Sequence, residues 1–187
     1  MSRIALAIVT VAACVTSCGG GAKSAASQPS KGELIVNGSF EEPQLSGGYK
    51  ILPAVPGWKV SFGPGFELQR GVSGSSKDGA QHVELDSTEN SGIEQSVSTT
   101  PASILALSFA YSPRPGRPAA TNGVEVRVDG KVVLALAEDG TPLRDSNWSP
   151  HVVTFTAVGS NTTVEFRGTG TSDGLGAYID DVKLIQK

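Results

Sequence analysis

The chain has 187 residues, with 15 Lys or Arg against 18 Asp or Glu, a formal charge of −3, 6% aromatic residues and two cysteines. That length suits one ordinary domain with a sizeable core. Mild acidity without a cluster of Lys and Arg excludes the electrostatic footprint of nucleic-acid binding, so no nucleic acid is expected as a partner.

At the start, Arg3 precedes an apolar run from Ile4 to Ala13, and Val15-Thr16-Ser17-Cys18 follows. A short charged start, an apolar segment and small residues before a cut site make an export signal. The run is shorter than the roughly 18 apolar residues of a membrane-spanning helix. Val-Thr-Ser-Cys resembles the lipobox of bacterial lipoproteins, whose cysteine is acylated and becomes the mature N-terminus. Cys14, after Val11-Ala12-Ala13, fits the same loose pattern. Cys18 is preferred, because it leaves the longer apolar segment and Gly19-Gly20-Gly21 follows it as a tether. Residues 1–18 are thus expected to be a signal peptide with its lipidation cysteine. Residues 19–31, rich in Gly, Ser and Ala, are expected to be a flexible linker, and 32–187 the folded domain. The expected location is the bacterial cell envelope, outside the cytoplasm at the outer membrane or cell surface, with the membrane as partner through the anchor. No cysteine follows Cys18, so the domain has no disulfide and must be held by packing.

Within the domain the apolar residues alternate. Leu105, Leu107, Phe109 and Tyr111 stand two apart, as do Val124, Val126 and Val128, then Val153, Phe155 and Ala157, then Val164 and Phe166. Period two over short runs bounded by turn residues is the strand signature. Asp129-Gly130 between two valine-rich runs predicts a hairpin with a type I′ turn, which needs positive φ at both central positions. Asp78-Gly79, Asp139-Gly140 and Asp173-Gly174 mark further turns. No long segment has helical period. The expectation is all-β: an antiparallel β-sandwich.

Three groups of motifs sharpen that fold. Asn37-Gly38-Ser39-Phe40-Glu41 and Pro56-Gly57-Trp58 come first, Asp78 to Asp86 and Gly92 to Val97 in the middle, and Tyr178-Ile179-Asp180-Asp181-Val182-Lys183-Leu184 last. Their order resembles the galactose-binding-like jelly rolls, a superfamily that includes many carbohydrate-binding modules. It is most similar to a domain of unknown function shared by exported bacterial proteins and plant cell-wall proteins. The resemblance implies a jelly roll. It also implies a structural Ca2+ joining the first and last strands, with Glu41 and Asp180 as its side-chain donors. Calcium takes six to eight oxygens, some of them backbone carbonyls, and the Asn37–Ser39 turn is a place to look for those. Otherwise Glu41 is solvated and Asp180 accepts backbone hydrogen bonds.

Catalysis is not expected. His82 and His151 form no metal-binding spacing, and Gly71-Val72-Ser73-Gly74-Ser75 has the wrong spacing for a nucleophile elbow. Glu67, Glu84, Asp86 and Glu125 fall on strands, and a pair of them could approach glycosidase separation.

Binding is better supported. Sugar recognition uses aromatic faces and planar polar groups, and the candidates are Trp148, Arg114, Arg117, Asn122, Glu125 and Arg127, with Tyr49, Arg70 and Gln81 behind them. Trp58, Tyr111 and Tyr178 read as core. The loop from Ser112 to Pro118 is stiffened by three prolines and a glycine. Its Arg114 and Arg117 either grip an acidic polysaccharide in bidentate fashion or pair with the protein's own acids, such as Glu125 or Asp129. The expected function is a non-catalytic module that binds polysaccharide or cell-wall glycan. The alternative is a structural or protein-interaction module among cell-envelope proteins.

Overall fold

Asp129 and Gly130 adopt φ of 48° and 77° and join strands β8 (Val124–Val128) and β9 (Lys131–Leu136), with Val128 opposite Lys131. This is the two-residue hairpin that the Asp-Gly pair predicts. It belongs to a computed structural model that describes residues 32–187. The expected signal, Cys18 and the linker lie outside the described residues.

Ten further strands complete the domain: β1 (Gly48–Leu52), β2 (Ala54–Val55), β3 (Trp58–Phe62), β4 (Phe66–Arg70), β5 (His82–Glu84), β6 (Gly92–Ser98), β7 (Ile104–Ser112), β10 (Ser149–Thr156), β11 (Asn161–Gly168) and β12 (Tyr178–Gln186). They form two six-stranded sheets, ordered β1-β4-β5-β12-β7-β10 and β2-β3-β6-β11-β8-β9. Every pairing is antiparallel. The all-β sandwich read from the sequence is the fold of the described chain.

Period-two alternation builds the core. Leu105, Leu107 and Phe109 of β7 face inward from the first sheet, and Val124, Val126 and Phe166 from the second. Glu125 and Arg127, on alternate positions of β8, occupy the outer face of the second sheet and pair with each other at 2.8 Å. Trp58 is core, as expected. Its ring packs 5.4 Å from Phe40 and 6.1 Å from Phe166, whose ring lies 5.0 Å from Phe109. Burying such aromatic side chains is worth about 1.5–3 kcal/mol each, which supplies stability without a disulfide.

The two ends of the domain meet along β12. The Leu34 amide donates to the Leu184 carbonyl at 2.9 Å and the Gln186 amide to the Gly32 carbonyl at 3.3 Å. Glu33 accepts from the Ile35 and Leu184 amides, both at 2.8 Å.

Candidate functional site

Strand pairing assembles two rows of polar side chains on the outer face of the first sheet. One row aligns Tyr49 with Gln69 and Gln69 with His82 across β1, β4 and β5. The other aligns Ile51, Glu67, Glu84, Tyr178 and Ser112 across five strands. Directly paired residues share a face and neighbours along a strand take opposite faces. Phe66, Leu68, Val83 and Ile179 therefore point into the core, and the polar residues between them point outward.

These outward groups bond to one another. Gln69 donates through Nε2 to Glu67 Oε2 at 2.8 Å and also to Glu84 Oε2. Glu84 Oε1 accepts the Gly176 amide at 2.6 Å, and Arg114 Nη1 donates to Glu84 Oε2. The guanidinium carbon of Arg114 lies 5.8 Å from the Tyr178 ring centroid. His82 and Tyr178 are 4.4 Å apart, and Trp148 stands edge-on to His82 at 5.8 Å.

Two loops roof the middle of the rows. Trp148 donates from Nε1 to the Ser75 carbonyl at 2.8 Å. Asp145 accepts from the Ser75 amide and hydroxyl at 2.7 and 2.9 Å, and these bonds hold its carboxyl below the usual range. The β1 side stays open, with Tyr49 56% exposed.

Burial dominates the electrostatics. It pushes the Glu84 carboxyl up to about 8 against the opposing pull of Arg114, and it raises Glu67 as well. Burial, helped by Arg114, lowers His82 to about 4, so its imidazole is neutral at physiological pH. His82 is 1% exposed, and neither ring nitrogen has a hydrogen-bond partner; nor does Gln69 Oε1. Glu67 and Glu84 share one amide donor, Gln69 Nε2.

Of the six ligand-binding candidates, two meet here: Trp148 and Arg114, both against Tyr178. Arg114 pairs with one of the protein's own acids, yet with Glu84 rather than Glu125 or Asp129, because the loop folds toward the first sheet. Asn122 is fully buried and is a loop brace, not a contact for ligand. Its Oδ1 accepts the Arg114 amide at 2.9 Å and its Nδ2 donates to the carbonyls of Arg117, Pro118 and Glu138. The Arg117 side chain is exposed, while its backbone braces the turn through Arg114 and Gly140. Glu125 and Arg127 lie on the other sheet and neutralise each other, so they do not join the face that carries Trp148. Gln81 is buried and spans the loop, accepting the Leu45 amide and donating to the Phe40 carbonyl. Tyr178 is fully buried, as a core reading expects, but it lies on the outward side of its sheet, beside Glu84 and Ser112, and not in the inward row. The sequence reading weighs His82 only for a metal-binding spacing and Glu67 and Glu84 only as members of a glycosidase-like pair, and it does not single out Gln69. Phe66-Glu67-Leu68-Gln69 and His82-Val83-Glu84-Leu85 alternate polar with apolar, which was the available signal.

Glu41 and Asp180, the implied calcium donors, come from opposite ends of the domain to one turn. Glu41 Oε1 accepts the Ala80 and Gln81 amides, both at 2.8 Å. Asp180 Oδ2 accepts those of Lys77 and Asp78 at 2.7 and 3.0 Å, and Oδ1 that of Asp181 at 2.7 Å. Gly79 sits between them with φ 63°, and a Cβ there would come within 2.5 Å of the Glu41 carboxyl carbon. Among the described residues no three His, Cys, Asp or Glu side chains gather as a metal site. The all-oxygen pair suits a hard cation only if backbone carbonyls complete the shell.

Two antiparallel sheets in this order define a jelly-roll sandwich, and a solved structure shares it. An arabinose-bound α-L-arabinofuranosidase superposes with a TM-score of 0.53 at 13% identity, over 83% of this chain and 26% of that one. A family 35 carbohydrate-binding module from Clostridium thermocellum is similar with a TM-score of 0.49 at 16% identity, over 73% of this chain and 96% of that one. The chain belongs to the family described as protein of unknown function (DUF642), whose pattern matches residues 33–185. It is 32% identical over 152 residues, 80% of this chain, to a multifunctional-autoprocessing repeats-in-toxin of Vibrio vulnificus. It is 30% identical to the protein of that description from Vibrio cholerae, and it spans only 3% of the length of either relative.

Proposed function

We propose that this protein is a lipid-anchored component of the bacterial cell envelope whose jelly-roll domain binds polysaccharide without catalysis. The ligand lies on the outer face of the first sheet, between Tyr49 and Trp148. One observation carries the reading. Two aromatic side chains, Tyr49 exposed on an edge strand and Trp148 on a roofing loop, stand at the two ends of a row whose middle, Gln69 and His82, is buried beneath them. Tyr49 and His82 are two strand spacings apart, roughly 10 Å, a span that matches one or two sugar rings. Aromatic stacking with polar groups beside it is the chemistry of sugar recognition. Calcium between Glu41 and Asp180 is a second part of the proposal. It would join the N-terminal segment, β12 and the 77–81 turn.

A glycan array with the full chain and its Tyr49→Ala and Trp148→Ala variants tests the reading. Wild type should bind at least one oligosaccharide class. Each variant should lose about tenfold in affinity, equivalent to about 1.4 kcal/mol, and Tyr49→Ala should keep the wild-type melting temperature. Silence across the array, with an envelope protein retained in pull-downs, would replace glycan binding by protein interaction.

A further inference from the structure

We infer that the end of the sandwich where residues 19–31 join the domain is a lipid-contacting surface that rests on the bilayer holding the anchor. The inference rests on the lipid-anchored reading and adds to it a second, non-covalent contact with the membrane.

Two gaps in the charge meet at this end. From Gln95 to Pro113 and from Ser146 to Val164 the chain carries no Asp, Glu, Lys or Arg. These runs contain β7 and β10, which pair in unbroken register from Ile104 with Thr156 to Tyr111 with Ser149. On the outer face of the first sheet Ile104 stands opposite Thr156, and Ala106 lies between Thr154 and Ile185. The 99–103 and 157–160 connections close the same end. The Ala102 amide donates to the Ala157 carbonyl and the Ala157 amide to the Ser103 carbonyl, both at 2.9 Å. Pro101, Ala102 and Val158 are left exposed there, Val158 at 84%, beside Ile104 at 50% and Ile185 at 36%. Aliphatic side chains grouped in this way, rather than scattered singly, mark a contact surface.

The point where the tether joins names the occupant. Gly32 accepts the Gln186 amide and Glu33 bridges to Ile185, so the 19–31 segment enters the domain beside Ile185 itself. Thirteen residues separate Cys18 from Gly32, a reach of at most roughly 45 Å even fully extended. Acylation of Cys18 would hold this end within that distance of lipid, where a contact too weak to retain a free protein still forms. The chemistry suits the membrane interface, with aliphatic tips for the acyl boundary and the hydroxyls of Thr100, Thr154 and Thr156 for headgroups. Two lysines border the surface and favour anionic headgroups. The Lys187 amide donates to the Ile104 carbonyl at 2.9 Å. Lys131 lines a cavity of about 180 Å³ together with Phe155 and Val158. Asp129 is the one acid of that cavity, and its carboxylate accepts the Thr163 amide at 2.8 Å.

The acylated full chain, reconstituted into vesicles of phosphatidylethanolamine and phosphatidylglycerol in equal parts, tests the inference. Val158→Cys and Val72→Cys each carry an environment-sensitive fluorophore, and some of the lipid carries a quencher just below the headgroup. Val72 is 43% exposed on the connection between β4 and β5 that supplies Ser75 to Trp148. Emission at position 158 should shift to the blue and be quenched by the lipid, whereas position 72 should show neither effect. Adding Ile104→Ser and Ile185→Ser, both at exposed positions, should abolish the shift and the quenching at 158 while the protein still floats with the vesicles. Equal signals at 158 and 72 in floating protein overturn the inference and leave the anchor standing. A blue shift at 158 without lipid quenching, accompanied by cross-linking between copies, overturns it in favour of a second copy of the chain. Protein that does not float with the vesicles removes the anchored reading and the inference together.

Discussion

Arg114 reaches from the proline-stiffened turn onto Glu84, a carboxylate with no solvent exposure, and its guanidinium lies over the Tyr178 ring. The arginine that the sequence offers to an outside anion is committed within the molecule. Breaking such a pair costs more than the pair contributes, because the partner is left buried without its donor.

Arg114→Ala should therefore destabilise the domain by about 1–3 kcal/mol, the cost of leaving a buried polar group short of its partner. Adding Glu84→Gln should recover part of the loss, since the carboxyl left without its donor goes with it. Arg117→Ala, at an exposed position, should stay within about 0.5 kcal/mol. Urea unfolding of the four proteins distinguishes this buried pair from two interchangeable surface arginines.

Stability should also fall as pH rises toward 8. Glu84 titrates near 8 in the folded protein against an ordinary value of 4.5, burial being the cause, and Glu67 shifts in the same direction. Between those values the folded state holds protons that the unfolded state has released, so unfolding is increasingly favoured as pH climbs. Below about 4.5 the contribution is fully present. Unfolding midpoints measured from pH 4 to 9 should show this slope in wild type and a flatter one in Glu84→Gln. A slope unchanged by that substitution would assign the effect to other groups.

If calcium joins Glu41 to Asp180, the ion should raise the melting temperature of wild type. A ligand that binds only the native state at 100 times its Kd adds about 2.7 kcal/mol. Glu41→Gln and Asp180→Asn should lose that response and also melt lower without metal, because each carboxylate clamps the 77–81 turn. Identical wild-type melts in calcium and in chelator, with the variants still destabilised, would leave the amide clamp as the whole role of the two acids.

Metabolic labelling with a fatty-acid analogue tests the anchor. Label should enter wild type and Cys14→Ser and be absent from Cys18→Ser, which should shift to the soluble or unprocessed fraction. Label that persists in Cys18→Ser would move the acylated residue to Cys14.

The parts of the fold legible in the sequence are those that local chemistry dictates. Asp129-Gly130 takes the I′ turn because both residues tolerate positive φ. Val124 to Val128 buries every second residue because the flanking Glu125 and Arg127 need water or each other. Tyr178 was misplaced because Tyr-Ile carries no alternation of its own, and β12 shifts register between Asp180 and Lys183. Only pairing with Glu84 and Ser112 assigns Tyr178 to the outer face. The polar rows were hidden for a related reason. They exist only across strands: Gln69 meets Glu84 over a separation of 15 residues, and Arg114 meets Glu84 over 30. Asn122 misled because an amide braces a loop as readily as it binds a sugar.

The seam between Gly32 and Gln186 bears on how the domain would be presented. A tether joined at Gly32 attaches beside the last residues of β12, whereas Tyr178 opens that strand. Tyr178 and Gln186 stand eight residue steps apart on that strand, which at 3.2–3.4 Å each separates them by roughly 26 Å. A chain held at its leading end by an acyl anchor would thus have the Tyr49–Trp148 face at the opposite end of β12 from the point where its tether joins.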